Sequence, residues 1–112
     1  MRRIATLLAL GLAVGACTTS EDGYARLQRA VKNPDIGREA HSECTEIVGM
    51  KSQKVRKQLA EAIGVSPAMA PSIYCKRVFD GVTSGRLTRA DWDSLDSGRP
   101  TENLIRVVRG RG

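Results

Sequence analysis

The sequence predicts an all-α fold, a small bundle of about four to five short helices held by one disulfide bond. Apolar residues recur every three to four positions along most of the chain, which is the period of an amphipathic helix. Capping residues and glycines separate these stretches. With 112 residues and 4% aromatic residues, the chain has room for one domain with a thin core. An additional constraint is therefore expected.

The first three predicted helices are 21–32, 38–50 and a third between Ser52 and Gly64. Asn33-Pro34 is expected to end the first helix. Ser52 supplies a side-chain oxygen as the cap of the third, and Gly64 ends it because glycine adopts the left-handed conformation without strain.

The later predicted segments are 71–83, a short helix through Trp92 and Leu95, and a last segment from Thr101. Gly85 ends the first of these. Thr88 and Asp91 stand three residues apart, as in a capping box, and open the short helix, which Trp92 is expected to anchor in the core. The last segment contains Leu104, Val107 and Val108, and its looser alternation leaves both a helix and a strand open.

The chain opens with MRRIATLLALGLAVGAC, in which two arginines precede an apolar run from Ile4 to Val14. This run is too short for a permanent membrane span, which takes about 20 residues. Val14-Gly15-Ala16-Cys17 resembles the lipobox of bacterial lipoprotein precursors, although Gly15 stands where Ala or Ser is more usual. The resemblance implies that Cys17 is acylated and becomes the mature N-terminus. Cleavage after Ala16 by an ordinary signal peptidase and a buried N-terminal helix are the alternatives.

The resemblance also implies a location. In that family a residue other than Asp after the acylated cysteine, here Thr18, directs the protein to the outer membrane. The expected organisation is a signal peptide over 1–16, a lipidated N-terminus and tether over 17–20, a helical domain over 21–98 and a basic C-terminal segment over 99–112.

Cys44 and Cys75 remain if Cys17 is acylated, an even number in an oxidising compartment. Each lies on the apolar stripe of a predicted helix, so we expect a disulfide between them, with two buried free thiols as the alternative. Closing this loop stabilises the fold by roughly 3–4 kcal/mol in the chain-entropy model. The sequence has no CxxC and no cysteine–histidine cluster, so it predicts no metal site and no cofactor.

The stretch QLAEAIGVSPAMAPSIY, 58–74, has the spacing of a DNA-binding helix-turn-helix. Its second helix would present Ser66–Ser72 to base edges, and this stretch has no Arg, Lys, Asn or Gln. Pro71 also falls where that helix should already be established. We therefore interpret 58–74 as two packed helices and keep the cytoplasmic DNA-binding protein as an alternative function.

The stretch DGVTSGRLTRAD, 80–91, resembles the loop of an EF-hand calcium site, with Asp80 first, Gly85 sixth and Asp91 twelfth. Val82 occupies the third position without a side-chain oxygen, and Asp91 is shorter than the usual glutamate. A helix–loop–helix corner capped by Thr88 and Asp91 is the favoured interpretation. A degenerate calcium-binding protein is the second alternative.

The formal net charge is +6, which favours anionic partners in general. Two basic clusters are the candidate contact residues: Lys51, Lys54, Arg56 and Lys57 around the third helix, and Arg106, Arg109 and Arg111 near the C-terminus. Solvated faces without a partner are the other interpretation. The lone His41 has no cysteine or acid at catalytic or metal spacing, and is expected on a surface or half-buried helix position.

These features predict a small lipoprotein of the bacterial envelope, anchored through Cys17 and facing the periplasm, with a structural or binding role and no enzymatic one. The expected partners are the membrane, reached through the lipid, and anionic envelope polymers or another envelope protein; nucleic acid is not expected. An envelope enzyme would require a pocket lined by carboxyl groups with shifted pKa values, which only a fold can reveal.

Overall fold

The computed structural model of the protein describes residues 23–111, and this part of the chain is built from six α-helices. The helix over 23–32 is α1, followed by α2 Pro34–Gly49, α3 Gln53–Ile63, α4 Ala70–Ser84, α5 Arg89–Ser97 and α6 Glu102–Val108. The all-α prediction is confirmed, with six helices rather than four to five. The segment after Thr101, left open between helix and strand, is a helix, and the Thr101 hydroxyl caps it by accepting a hydrogen bond from the Leu104 amide.

Helix α2 begins four residues earlier than expected, at Pro34. Asn33-Pro34 does end α1, but the same two residues start the next helix. The Asn33 side chain accepts a hydrogen bond from the Asp35 amide at 3.0 Å, and Pro34 lies in the first turn, where its missing N–H has no partner to lose. The prediction of a start near Arg38 was therefore wrong.

The caps of the other helices agree with the sequence. Ser52 Oγ accepts from the Val55 amide at 3.2 Å and begins α3, which ends at Gly64 with φ +73°. Gly85 ends α4 with φ +80°. Thr88 and Asp91 make both hydrogen bonds of a capping box at the start of α5.

Helix α4 is the central element, since it packs against α2, α3 and α6. Its buried face includes Cys75, Val78 and Val82, which are at most 3% exposed. A Cβ atom on Gly81 would lie 2.7 Å from Leu87 Cγ, so the absence of a side chain there lets Leu87 pack directly on the helix. Leu87 is 1% exposed and plugs the core from the turn between α4 and α5.

The rest of the core comes from α1, α3 and α6. Its buried members are Val31, Ala60, Ile63, Leu104, Val107 and Val108. Half-buried Trp92 lies beside Tyr24 and Phe79, with ring centroids 6.3 Å away in both cases, and so ties α5 to α1 and α4 as expected. The basic segment 99–112 thus contains a helix whose apolar side belongs to this core.

The disulfide joins α2 to α4, and the predicted pairing is confirmed. The Sγ atoms of Cys44 and Cys75 are 2.15 Å apart, and their Cα atoms are separated by 6.0 Å, within the normal range for a disulfide. Beside it, His41 Nε2 makes a hydrogen bond with the Ser72 carbonyl at 2.9 Å. None of the helices in the described part of the chain is long and apolar enough to span a membrane.

Candidate functional site

The basic cluster around α3 is the first candidate site. Lys51, Lys54 and Lys57 are exposed, and none of them forms an ion pair within residues 23–111. The first turn of α3 contains no acidic residue. Positive side chains at a helix N-terminus face the positive end of the helix dipole, which destabilises the helix and increases the local attraction for an anion.

Arg56 differs from its three neighbours because it is half-buried. Its Nε atom is inaccessible to solvent and makes no hydrogen bond in the described part of the chain. It borders a recess of about 170 Å³, together with Gln53, Lys57, Pro67 and Ala68. Arg56 therefore lies at the edge between α3 and the α3–α4 turn, and its side chain is less free to meet a partner than the lysines.

The C-terminal basic residues divide into two kinds. Arg106 is exposed on α6, and Arg111 is exposed beyond its end. Arg109 Nε donates to the Ala62 carbonyl at 3.0 Å and so satisfies an acceptor in the last turn of α3. Arg109 consequently lies at the C-terminal end of α3, whereas Lys51 and Lys54 lie at its N-terminal end.

Arg77 also donates hydrogen bonds to carbonyl groups at helix ends, a role that the sequence does not predict. Its Nη1 atom donates to the Ile63 carbonyl at 3.2 Å and to the Val108 carbonyl at 2.8 Å, so one guanidinium group from α4 joins the C-terminal ends of α3 and α6. Lys76-Arg77 has the appearance of an ordinary solvated pair, and nothing in its local pattern indicates that these two helix ends meet there.

Asp91 is the centre of a buried hydrogen-bond network. It is 4% exposed, and its carboxylate accepts from the Thr88 amide at 2.8 Å, Thr88 Oγ1 at 3.0 Å, Asn103 Nδ2 at 2.6 Å and Thr101 Oγ1 at 2.5 Å. Burial alone would raise the pKa of Asp91, but these hydrogen bonds outweigh it and lower the pKa from 3.8 to about 2. The carboxylate therefore caps α5 and at the same time holds the start of α6.

The carboxylates that frame the calcium-like stretch have other partners. Asp80 belongs to the last turns of α4, where it is exposed and pairs with Lys76 at 2.7 Å. Asp91 points into its own ring of donors. Leu87 is buried between them. This geometry favours the helix–loop–helix corner, and the described residues contain no cluster of three potential metal ligands.

The stretch with helix-turn-helix spacing also folds as two packed helices. Helix α4 starts at Ala70, and Pro71 lies in its first turn, where proline is tolerated. A recognition helix presents its N-terminal residues to the major groove. In this structure Ala70 is 0% exposed and Pro71 is buried, so these positions face the core.

The structure describes no part of the predicted signal peptide or of the lipidation site, since residues 1–22, including Cys17, lie outside the described range. Asp91 is the carboxyl group with a strongly shifted pKa in the described chain. It lines neither the cleft where α3, α5 and α6 meet nor the cleft among α1, α2 and α4. Comparison with protein-family models, with curated proteins and with solved structures finds no match to this chain.

Proposed function

We propose that this protein is a lipid-anchored helical module of the bacterial envelope that presents a basic surface to anionic envelope partners. The observation that carries the proposal is the group of exposed, unpaired lysines at the start of α3, Lys51, Lys54 and Lys57. We call this group the α3 lysine surface. Within residues 23–111, Arg38, Lys76 and Arg89 each have an acidic partner within 4 Å. The α3 lysine surface lacks one in this range, as do other exposed cations such as Arg26 and Arg106.

An anchor strengthens such a surface. A basic residue near an anionic membrane contributes about 1 kcal/mol, and this attraction falls off within a Debye length of roughly 8 Å at physiological salt. Acylation of Cys17 would confine the domain to the membrane surface, so contacts that are weak in free solution would form at high effective concentration. The envelope role is supported by the lipobox-like sequence and by a disulfide, which persists in an oxidising compartment.

The anchor is tested by the intact mass of the protein recovered from a bacterial host that expresses the full precursor. We expect a chain that begins at Cys17, carries acyl mass and is two hydrogens lighter than its reduced form. A chain that still begins at Met1 without acyl mass would overturn the anchor. The DNA-binding alternative for 58–74 would then need a direct binding assay.

The basic surface is tested separately, with the chain 17–112 carrying Cys17→Ser, so that neither a lipid nor the apolar run 4–14 contributes to membrane binding. The variant K51Q/K54Q/K57Q is compared with R38Q/K76Q/R89Q, which removes the same charge from cations that already have acidic partners. Sedimentation with vesicles containing anionic lipid should show a roughly hundredfold loss of binding for the first variant, at about 1 kcal/mol for each of its three lysines, and less than threefold for the second. Equal losses in both variants would show that only net charge matters.

A further inference from the structure

A cleft of about 380 Å³ opens where α3, α5 and α6 meet. Its walls are mostly apolar: Leu59 and Ile63 from α3, Leu95 from α5, and Leu104, Ile105 and Val108 from α6. An apolar cavity of roughly 150 Å³ is enough for benzene with its six heavy atoms, so at the same ratio this cleft has room for about ten to fifteen heavy atoms. Its size falls within the usual range of small-molecule sites, about 300–1,000 Å³.

Two polar side chains line the cleft in addition to Ser94, and neither is acidic. Tyr74 is half-buried, burial raises the pKa of its hydroxyl, and this hydroxyl makes no hydrogen bond within residues 23–111. Arg109 is held by the bond from Nε to the Ala62 carbonyl, whereas its two Nη groups make no hydrogen bond in the same range. A neutral donor and a fixed guanidinium group therefore accompany an apolar wall.

We propose that this cleft binds an amphipathic carboxylate with a single apolar chain of about eight carbons, whose head group is held by Arg109. A guanidinium group matches a carboxylate in a bidentate geometry and stays charged at any physiological pH. The hydrocarbon chain of the ligand packs against the apolar side chains of α3 and α6. The Tyr74 hydroxyl donates a hydrogen bond to the head group or to a water beside it. The inference does not rest on the lipid anchor or on the α3 lysine surface.

Calorimetric titration of octanoate into the chain 17–112 carrying Cys17→Ser, which lacks the apolar run 4–14, tests the proposal. We expect a dissociation constant near or below about 1 mM. Ala62 is exposed and lines the cleft, so Ala62→Leu fills the space without entering the core and should weaken binding at least tenfold. Ala90→Leu adds the same side chain at an exposed position of α5 that does not line the cleft, and should leave binding unchanged.

The head-group contact has its own pair of ligands, octanoate and 1-octanol. Arg109→Gln should weaken octanoate about tenfold and leave 1-octanol within twofold. Arg109→Lys keeps the charge but loses the bidentate geometry, so its octanoate affinity should fall between those of the parent chain and Arg109→Gln. Circular dichroism and thermal unfolding of each variant verify that it is folded. Equal octanoate affinity of the Ala62→Leu variant and the parent chain would show that octanoate does not bind in the cleft. Equal affinity of the parent chain for octanoate and 1-octanol would show that the cleft does not recognise a carboxylate.

A second copy of the chain is the competing occupant of an apolar cleft. Analytical ultracentrifugation should show a monomer for both the parent chain and the Ala62→Leu variant. A dimer of the parent chain that Ala62→Leu dissociates, without competition by octanoate, would overturn the proposal in favour of self-association.

Discussion

The junction between α2 and α4 and the junction between α5 and α6 are held by different chemistry. The first contains a covalent bond between Cys44 and Cys75. The second depends on the buried Asp91 carboxylate and the donors of Thr88, Thr101 and Asn103. A disulfide responds to reductant and does not titrate, whereas a carboxylate responds to acid and is indifferent to reductant. A short chain with few aromatic residues thus uses two independent constraints where apolar burial alone is marginal.

The disulfide should give the largest effect. Its cysteines are 31 positions apart, and a loop of this length stabilises the folded state by about 3–4 kcal/mol in the chain-entropy model. We expect the variant C44A/C75A to lose that amount in the free energy of unfolding, measured by urea titration. Replacement of both cysteines avoids an unpaired thiol. A loss below about 1 kcal/mol would show that packing between α2 and α4 suffices without the bond.

Removal of Asp91 should give the next largest effect. The variant D91A leaves several donors without their acceptor in a site that is 4% exposed, so we expect a loss of about 2–3 kcal/mol. Asp93 is the matched control, because it lies on the same helix, is exposed and approaches Arg89 only at 3.8 Å. The variant D93A should change the free energy of unfolding by less than about 0.5 kcal/mol. Similar losses in both variants would mean that the network does not stabilise this junction.

Acid should weaken the second junction selectively. The pKa of Asp91 is lowered from 3.8 to about 2 in the folded protein, so between these values the unfolded chain binds more protons than the folded one. The stabilisation is present above about pH 4 and is lost as the pH falls towards 2, a change of about 2 kcal/mol.

Urea titrations between pH 7 and pH 2 measure this loss, with D91N as the variant that should lack this part of the dependence. The variant C44A/C75A should be less stable at every pH but should show the same dependence on pH. If removal of the disulfide changed the acid dependence, the two junctions would be coupled rather than independent, and the comparison between them would fail.

The two junctions also differ in how far the sequence predicts them. The disulfide follows from two cysteines on apolar stripes, and the capping box of α5 follows from Thr88 and Asp91 standing three residues apart. The capping box is a local spacing of two residues, and the disulfide follows from the number of cysteines and their positions on the predicted helices. The hydrogen bonds from Thr101 and Asn103 to Asp91 depend on the angle at which α6 returns to α5, and no pattern within either helix encodes that angle.

The same division holds for the rest of the molecule. Ser52, Gly64 and Gly85 mark helix ends by their own chemistry, so these ends were predicted. Asn33-Pro34 is compatible with both an end and a start, and only the end was recognised. The contacts of Arg77 and the apolar cleft require helices distant in sequence to meet, which makes them visible only in the folded chain.

The smallest effect should come from the α3 lysine surface, which belongs to neither junction. Lys51, Lys54 and Lys57 lie near the N-terminal end of α3, where positive charge opposes the helix dipole. We therefore expect K51Q/K54Q/K57Q to raise the free energy of unfolding slightly, by about 0.3–0.5 kcal/mol at low salt, and the gain to shrink as salt increases. A destabilised variant would indicate that the lysines support the fold. A stabilised variant that also loses binding to anionic vesicles would mean that the α3 lysine surface binds anionic partners at the expense of stability. In this it would differ from the two junctions, whose residues stabilise the fold.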